Sequence, residues 1–184
     1  MEMYLDIPAF NRRLGDWEHH YESARTNGNH QLSFGTLSAA AMHRARAGYY
    51  GLMTHIDLQL MSLQVALTGV ELNENTIIAF TSDHGEMLGD HDFYRKAVGH
   101  EGSARVPLII MPAPSDAAAL HGAVVDEVVE LRDIMPTLLD LAGVTVPDYC
   151  DGKSLARFLR TDVGATDPQP WREWLHGEHV YFGQ

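Results

Sequence analysis

The sequence has little cysteine, few basic residues and no long apolar run. Its single cysteine, Cys150, excludes an internal disulfide and a zinc site built from cysteines. Lysine and arginine number 13 against 25 aspartates and glutamates, a formal net charge of -12. This excess of acid argues against a nucleic-acid-binding protein, which needs a clustered basic surface. No run reaches the roughly 20 apolar residues that a transmembrane helix requires, so no membrane span is predicted.

The composition is otherwise that of an ordinary globular protein. The chain has 184 residues, of which 45% are hydrophobic and 21% are charged, enough for one domain with a core. Residues 1–8 are acidic and lack the pattern of a signal peptide. If Met1 is an internal start, that absence says nothing of the compartment, which the sequence leaves open.

Apolar periodicity and turn residues divide the chain into a series of predicted elements. Residues 1–36 are predicted to be irregular. The elements expected after them are a helix over 37–69, strands over 76–81, 106–111 and 124–129, a helix over 133–141 capped by Asp133, and a short helix over 154–159. This order predicts an α/β fold. Three strands are few for a complete doubly wound sheet, so they are expected to form one flank of a larger mixed sheet with packing helices.

The long helix carries apolar residues at steps of three and four, which predicts one buried face. These residues are Tyr49, Leu52, Met53, Ile56, Leu60, Leu63 and Leu67.

The residues that follow the first predicted strand are the strongest candidates for chemistry. Asp83 and His84 come directly after an apolar, β-branched run, and ligands of open α/β sheets bind at the carboxyl ends of strands. A carboxylate suits a hard divalent cation such as calcium, magnesium or manganese, and an imidazole can join it or bind the substrate beside it. The alternative is an aspartate that closes a turn next to an exposed histidine.

The loop after this turn contains Lys96, which could return to the strand end and hold the oxygens of a transferring group. The alternative is a lysine exposed to solvent. His91, His100, Glu101 and Arg105 form a looser set, in which Glu101 and Arg105 are expected to make a structural ion pair. Cys150 has no cationic neighbour in sequence to activate it, and is interpreted as a packed turn residue.

Residues 75–112, NTIIAFTSDHGEMLGDHDFYRKAVGHEGSARVPLIIMP, resemble the sulfatase family of the alkaline-phosphatase superfamily. They match the family's strand, metal-binding turn, lysine loop and next strand in order. Residues 49–57, 131–143 and 151–155 resemble three further blocks of the family. The resemblance implies a partial alkaline-phosphatase-like α/β sandwich and an arylsulfatase-like hydrolase of sulfate esters, whose substrate is a small molecule or a glycan.

The family resemblance also implies roles for three residues. Asp83 and His84 would be metal ligands, and Lys96 would bind the sulfuryl oxygens and the leaving group. The implied cation is calcium, with magnesium or manganese as alternatives. His84 stands where sulfatases often have asparagine, which is similar to phosphonate and phosphate diester hydrolases of the superfamily. Such a hydrolase is therefore an alternative function, and a non-catalytic remnant acting as a binding module is another.

Three features of the family pattern are missing, one of which is the histidine of a Gly-Pro-His stretch that would precede the first helix. The nucleophile motif, Cys-x-Pro-x-Arg or Ser-x-Pro-x-Arg, does not occur, and Cys150 does not match it. The paired aspartates that complete the family's metal site are also missing. We therefore expect the C-terminal portion of a sulfatase, inactive alone, with formylglycine in the part not present. Residues 1–36 are expected to be an N-terminal segment, 37–160 a partial sulfatase domain, and 161–184 the start of a truncated subdomain.

Overall fold

The computed structural model describes residues 32–34, 37–163 and 170–177. The described residues combine helices and strands, which confirms the predicted α/β class. In chain order they are β1 (Leu32–Phe34), α1 (Ala39–Gly69), β2 (Ile78–Thr81), β3 (Phe93–Arg95), α2 (Glu101–Ala104), β4 (Leu108–Met111), α3 (Ile134–Leu141) and α4 (Ala156–Leu159). Strand β1 pairs antiparallel with β3, with Leu32 opposite Arg95, and β2 pairs with β4.

The described residues belong to two compact units. One contains residues 32–34, 37–69 and 81–107, and the other contains 70–80, 108–163 and 170–177. Asp83, His84 and Lys96 all lie in the first unit. The division predicted at residues 36 and 160 stays a prediction, since residues 1–31, 35–36, 164–169 and 178–184 lie outside the described ranges.

Helix α1 confirms the long helix predicted from the sequence. Ser38 starts it, because its hydroxyl accepts a hydrogen bond from the backbone N–H of Ala41 at 3.3 Å, and a serine in this position satisfies a free N–H of the first turn. The helix ends at Gly69, as expected. Among the described helices, none combines the length and apolar character needed to cross a bilayer.

The predicted burial of the apolar face of α1 is wrong for most of its length. Leu52 and Met53 are 64% and 53% exposed, and Ile56 and Leu63 are exposed as well. The buried side chains of the helix lie near its start, at Met42, Arg46 and Ala47. Periodicity fixes which side chains share a face, whereas burying that face needs a second element packed against it.

Two of the three predicted strands are observed, as β2 and β4, and both are shorter than predicted. Strands β1 and β3 and helix α2 were not predicted, and β1 lies in the segment 1–36 that was expected to be irregular. Strands β2 and β4 each begin two residues later than expected, at Ile78 and Leu108. The third strand predicted at 124–129 is wrong, because these residues form no strand and Val124 is 87% exposed. β-Branched composition favours an extended backbone, but a strand also needs a neighbour for its N–H and C=O groups.

A short turn that was not predicted precedes helix α3. Asp133 is the N-cap residue of α3, as expected, but its side chain makes no capping hydrogen bond to that helix. A 3-10 turn, Leu131–Asp133, precedes the helix and has Glu130 as its own N-cap. Asp133 is the third residue of a capping box in this turn, in which its carboxylate accepts from the Glu130 N–H at 2.9 Å. The reciprocal bonds satisfy two N–H groups of the helix start. The last predicted helix is observed as the shorter α4.

A cluster of hydrogen bonds and ion pairs around the buried Asp133 organises the second unit, and we call it the Asp133 cluster (Glu130, Asp133, Lys153 and Arg172). Both guanidinium NH₂ groups of Arg172 lie 2.7 Å from the Asp133 carboxylate, and one of them lies 2.8 Å from Glu130 Oε1. The backbone N–H of Lys153 donates to Asp133 Oδ1 at 2.8 Å. The neighbouring Gly152 is required, since a Cβ there would overlap the Arg132 carbonyl group.

Candidate functional site

The turn after β2 is built by short-range hydrogen bonds. The hydroxyl of Ser82 donates to the His84 carbonyl oxygen at 2.7 Å. The Asp83 Oδ1 accepts from the His84 N–H at 3.0 Å. The rest of the Asp83 carboxylate faces solvent, for this side chain is 84% exposed. The turn interpretation of Asp83 is therefore correct for its backbone, and it leaves an oxygen available to an external ligand.

Gly85 lets two backbone segments approach closely beneath this turn. Its N–H donates to the Ser103 carbonyl oxygen at 2.8 Å. A Cβ at this position would overlap the Gly102 carbonyl oxygen, and a backbone carbonyl cannot rotate away as a side chain can. The glycine after His84 is thus needed for packing, and it fixes the orientation of the Asp83–His84 turn against residues 102 and 103.

The His84 ring is oriented by hydrogen bonds at both nitrogens. Its Nδ1 lies 2.9 Å from the Gly85 carbonyl oxygen, and a carbonyl only accepts, so Nδ1 carries a proton. In the neutral ring Nε2 then has a free lone pair. Lys96 Nζ lies 2.7 Å from Nε2 and donates to it. The loop lysine and the turn histidine, twelve residues apart in sequence, are therefore in direct contact.

Asp83 and His84 together offer two ligands of the kind a divalent cation uses. Asp83 Oδ2 lies 3.4 Å from His84 Nε2. Metal–oxygen bonds to calcium are about 2.3–2.6 Å long, so a single cation can bond to both atoms. Within the described ranges, no group of three or more histidine, cysteine or acidic residues comes together as a metal site. The donor chemistry thus fits part of a cation site.

The loop that carries Lys96 has an unusual backbone. Arg95 and Ala97, the residues on either side of Lys96, have φ angles of 69° and 75°, and Leu88 has a φ of 46°. Non-glycine residues in this left-handed region are strained, and they concentrate at functional sites. The sequence contains no glycine at these positions that would have revealed the conformation.

Helix α1 holds this loop from one side. The buried guanidinium of Arg46 donates through Nε and Nη2 to the Leu88 carbonyl oxygen at 3.3 and 3.1 Å. The phenol of Tyr49, on the same helix, has a pKa raised above 10.0, first by burial and then by the negative charge of Glu86.

Sequence reasoning missed two residues that support the site, Glu86 and Arg46. Glu86 accepts hydrogen bonds from the backbone N–H groups of Leu88 and Arg95. It was missed because an acidic residue after a glycine is common in surface loops. Arg46 is buried in a helix whose sequence gives no sign that a cation belongs there. Glu86 does fall in the block that resembles the sulfatases, which is the signal that could have singled it out.

The other candidates do not join Asp83, His84 and Lys96. The rings of His91 and His100 stack at 4.4 Å between centroids. Glu101 and Arg105 form the expected ion pair at 3.3 Å, and both side chains are exposed. Cys150 is a half-buried free thiol in a turn of the second unit.

The sequence comparison identifies the family. The family model for sulfatases matches residues 16–144. The chain belongs to the sulfatase family. It is 40% identical over 180 residues to an arylsulfatase of Clostridium perfringens, a match that covers 98% of this chain and 36% of that relative. The chain therefore spans about a third of the length of this curated relative.

Solved structures of related proteins share the fold of part of this chain. The phosphonate monoester hydrolase of Agrobacterium radiobacter superposes with a TM-score of 0.65 at 33% identity, over 91% of this sulfatase-family chain and 34% of the hydrolase. A protein solved with its substrate D-glucosamine-2-N,6-O-disulfate gives a TM-score of 0.62 at 31% identity, over 72% and 26% of the two chains. The predicted fold class, a partial alkaline-phosphatase-like α/β fold, is confirmed.

Proposed function

We propose that this chain is part of a sulfate ester hydrolase of the arylsulfatase type, and that it contributes ligands for a divalent cation and a lysine for the sulfate group. The observation that carries the proposal is the contact of Lys96 Nζ with His84 Nε2 at 2.7 Å, beside an Asp83 oxygen 3.4 Å from the same nitrogen. A cation, a carboxylate and an imidazole at a strand end are the groups needed to bind an anionic ester near a metal.

Asp83 and His84 would hold the cation, with calcium as the first choice and magnesium or manganese as alternatives. A cation bound there supplies positive charge that polarises the oxygens of the transferred group. The proton on Nδ1, held by the Gly85 carbonyl, keeps the Nε2 lone pair of His84 available to such an ion. The remaining ligands and the formylglycine nucleophile would come from outside the described residues.

Lys96 would bind the substrate. Its ammonium has three N–H donors and no acceptor, so it can turn from the His84 lone pair to the oxygens of a sulfate ester. Because the Nε2 lone pair cannot serve a cation and Lys96 together, occupation of His84 by a cation frees the ammonium for the substrate. The substrate class we propose is a sulfate ester of a small molecule or a glycan, with no nucleic-acid partner.

A second candidate is a phosphonate or phosphate diester hydrolase. It is favoured by His84 in the metal-binding turn and by the likeness to the phosphonate monoester hydrolase of Agrobacterium radiobacter. The phosphorus of a phosphonate ester is tetrahedral, like the sulfur of a sulfate ester. A cation and a lysine can therefore bind the oxygens of either ester in the same way. The third alternative is a binding module, which would have the same fold but would not catalyse a reaction.

The test compares hydrolysis of 4-nitrophenyl sulfate and of a 4-nitrophenyl phosphonate by the natural polypeptide that contains this chain, with the 184-residue chain assayed in parallel. We expect the sulfate ester to be preferred and the isolated chain to be inactive. Lys96→Met should lower turnover about 100-fold or more, which is typical for the loss of one preorganised donor. Arg105→Met, which removes an exposed cation of the same unit, is the matched control.

Each result decides between the candidates. Preference for the phosphonate ester would favour the second candidate, and absence of turnover with both esters would favour the binding module. Turnover that Lys96→Met leaves equal to that of Arg105→Met would exclude the proposed role of Lys96. Hydrolysis by the isolated chain would overturn the expectation that it is inactive alone.

A further inference from the structure

The position of Lys96 depends on a strained segment of backbone. Lys96 lies between Arg95 and Ala97, which both have positive φ angles. A lysine side chain has four rotatable bonds. Its ammonium therefore stays at His84 only if the backbone conformation at residue 96 is fixed. Left-handed residues that are not glycine persist only where the surrounding structure holds them.

Glu86 makes the contacts that hold this segment. Its Oε1 accepts hydrogen bonds from the backbone N–H of Leu88, at 3.2 Å, and from that of Arg95. Both donors belong to residues with positive φ. The adjacent Met87 N–H donates to the Arg95 carbonyl oxygen at 2.8 Å. The Arg95 peptide groups are thus bound on both sides by residues 86 and 87, immediately before Lys96.

The charge of Glu86 suits this task. A carboxylate that accepts from backbone N–H groups makes stronger hydrogen bonds than a neutral acceptor. The side chain is half-buried, which limits competition from water. Arg46 holds the Leu88 carbonyl from the opposite side, so Leu88 is bound at both its N–H and its C=O.

We propose that Glu86 is a positioning residue that acts through Lys96. It would fix the left-handed backbone at Leu88 and Arg95, and thereby place the Lys96 ammonium on His84, while touching neither the cation nor the substrate itself. Its importance for catalysis rests on the function proposed above. Its effect on geometry does not, and can be measured without turnover.

The experiment is nuclear magnetic resonance of the 184-residue chain at one fixed pH, with amide hydrogen exchange. In Glu86→Ala, exchange of the Arg95 and Leu88 amides should accelerate about ten- to a hundredfold, as expected for loss of a hydrogen bond to a charged acceptor. The His84 Nε2 signal should move to its position in Lys96→Met, which lacks the ammonium. Glu86→Gln keeps an acceptor oxygen and should give a smaller change in both readouts.

Glu101→Ala is the matched control, because it removes an exposed acid of the same unit whose partner, Arg105, is also exposed. It should leave both readouts at their wild-type values. If Glu86→Ala and Glu101→Ala behave alike, the proposal is wrong. If Glu86→Ala unfolds the chain, Glu86→Gln decides: a uniform rise in exchange with an unmoved His84 signal would mean a general structural role and overturn the proposal.

The experiment separates this inference from the proposed function. Loss of the Lys96–His84 contact in the Glu86 variants supports the positioning role even if Lys96→Met leaves ester turnover intact. In that event the proposed function fails and the geometric inference stands.

Discussion

Asp83 and Asp133 show how the same side chain meets two different demands. Asp133 is fully buried and accepts hydrogen bonds from Arg172, from the Lys153 N–H and from the Glu130 N–H. The side chain of Asp83 is 84% exposed, and its Oδ2 lies 3.4 Å from His84 Nε2.

This difference indicates which acid is structural and which is available for chemistry. A buried charge is tolerated only when it is paired and hydrogen-bonded, so the Asp133 cluster has little capacity left for a ligand. An exposed carboxylate that closes a turn can exchange water for a cation. The backbone differs in the same sense. Among the described residues, five non-glycine residues with positive φ lie in the unit of Asp83, including the two beside Lys96, whereas the unit of Asp133 has one, Glu71.

The largest expected effect distinguishes the two acids directly. Asp133→Ala leaves the largely buried Arg172 guanidinium, 13% exposed, without its main partner, and should lower the free energy of unfolding by about 3–5 kcal/mol. Asp83→Ala removes an exposed group and should change it by less than about 0.5 kcal/mol. Chemical denaturation followed by tryptophan fluorescence measures both. Equal losses would contradict the division into a structural and an available acid.

The next effect tests the packing beneath the Asp83–His84 turn. Gly85→Ala forces a Cβ against the Gly102 carbonyl and should cost about 1–3 kcal/mol, as overpacking does. Gly51→Ala is the control, because Gly51 lies in α1 with nothing within 4 Å of the added Cβ. It should stabilise the helix by about 0.5–1 kcal/mol. The same sign for both variants would mean that the close approach at Gly85 does not exist in solution.

A smaller effect tests backbone strain beside Lys96. Ala97 has a φ of 75°, so Ala97→Gly should relieve strain and raise the free energy of unfolding by about 0.5–1 kcal/mol. This figure is the energy of the left-handed conformation in a residue with a Cβ, minus the conformational entropy that glycine loses on folding. Ala104→Gly, at the end of helix α2, should lower it by a similar amount. Thermal unfolding of the two variants gives the sign of each change in the free energy of unfolding. A lower stability of Ala97→Gly would argue against strain at this position.

The smallest expected effect concerns the ionisation of Tyr49. Its pKa is raised above 10.0 mainly by burial and next by the charge of Glu86. In Glu86→Gln the pKa should fall but stay above the ordinary value, since burial remains. The stability linked to Tyr49 is present below pH 10 and is lost as the pH rises through the higher folded pKa. Tyr49→Phe should remove this alkaline loss, and ultraviolet titration of the phenol checks the order of the two causes.

Much of the candidate site could be predicted from the sequence. The apolar strand, the Asp83–His84 turn and the return of Lys96 follow from local pattern and from the family resemblance, and the structure brings these residues into contact. Glu86 was missed because its bonds go to backbone groups at residues 88 and 95, which a pattern of side chains does not record. The left-handed conformations at Arg95 and Ala97 were missed for a related reason, since they depend on contacts that hold the strain.

By itself, the sequence determined the family, the α/β class and the residues proposed for the candidate site, because these depend on residue type and spacing along the chain. The tertiary structure decided what periodicity and composition cannot. It left the predicted buried face of α1 exposed and residues 124–129 without strand pairing, and it made Asp133 a buried ion-pair partner. Burial and pairing require a second segment in the right place, and that is a property of packing rather than of any local run of residues.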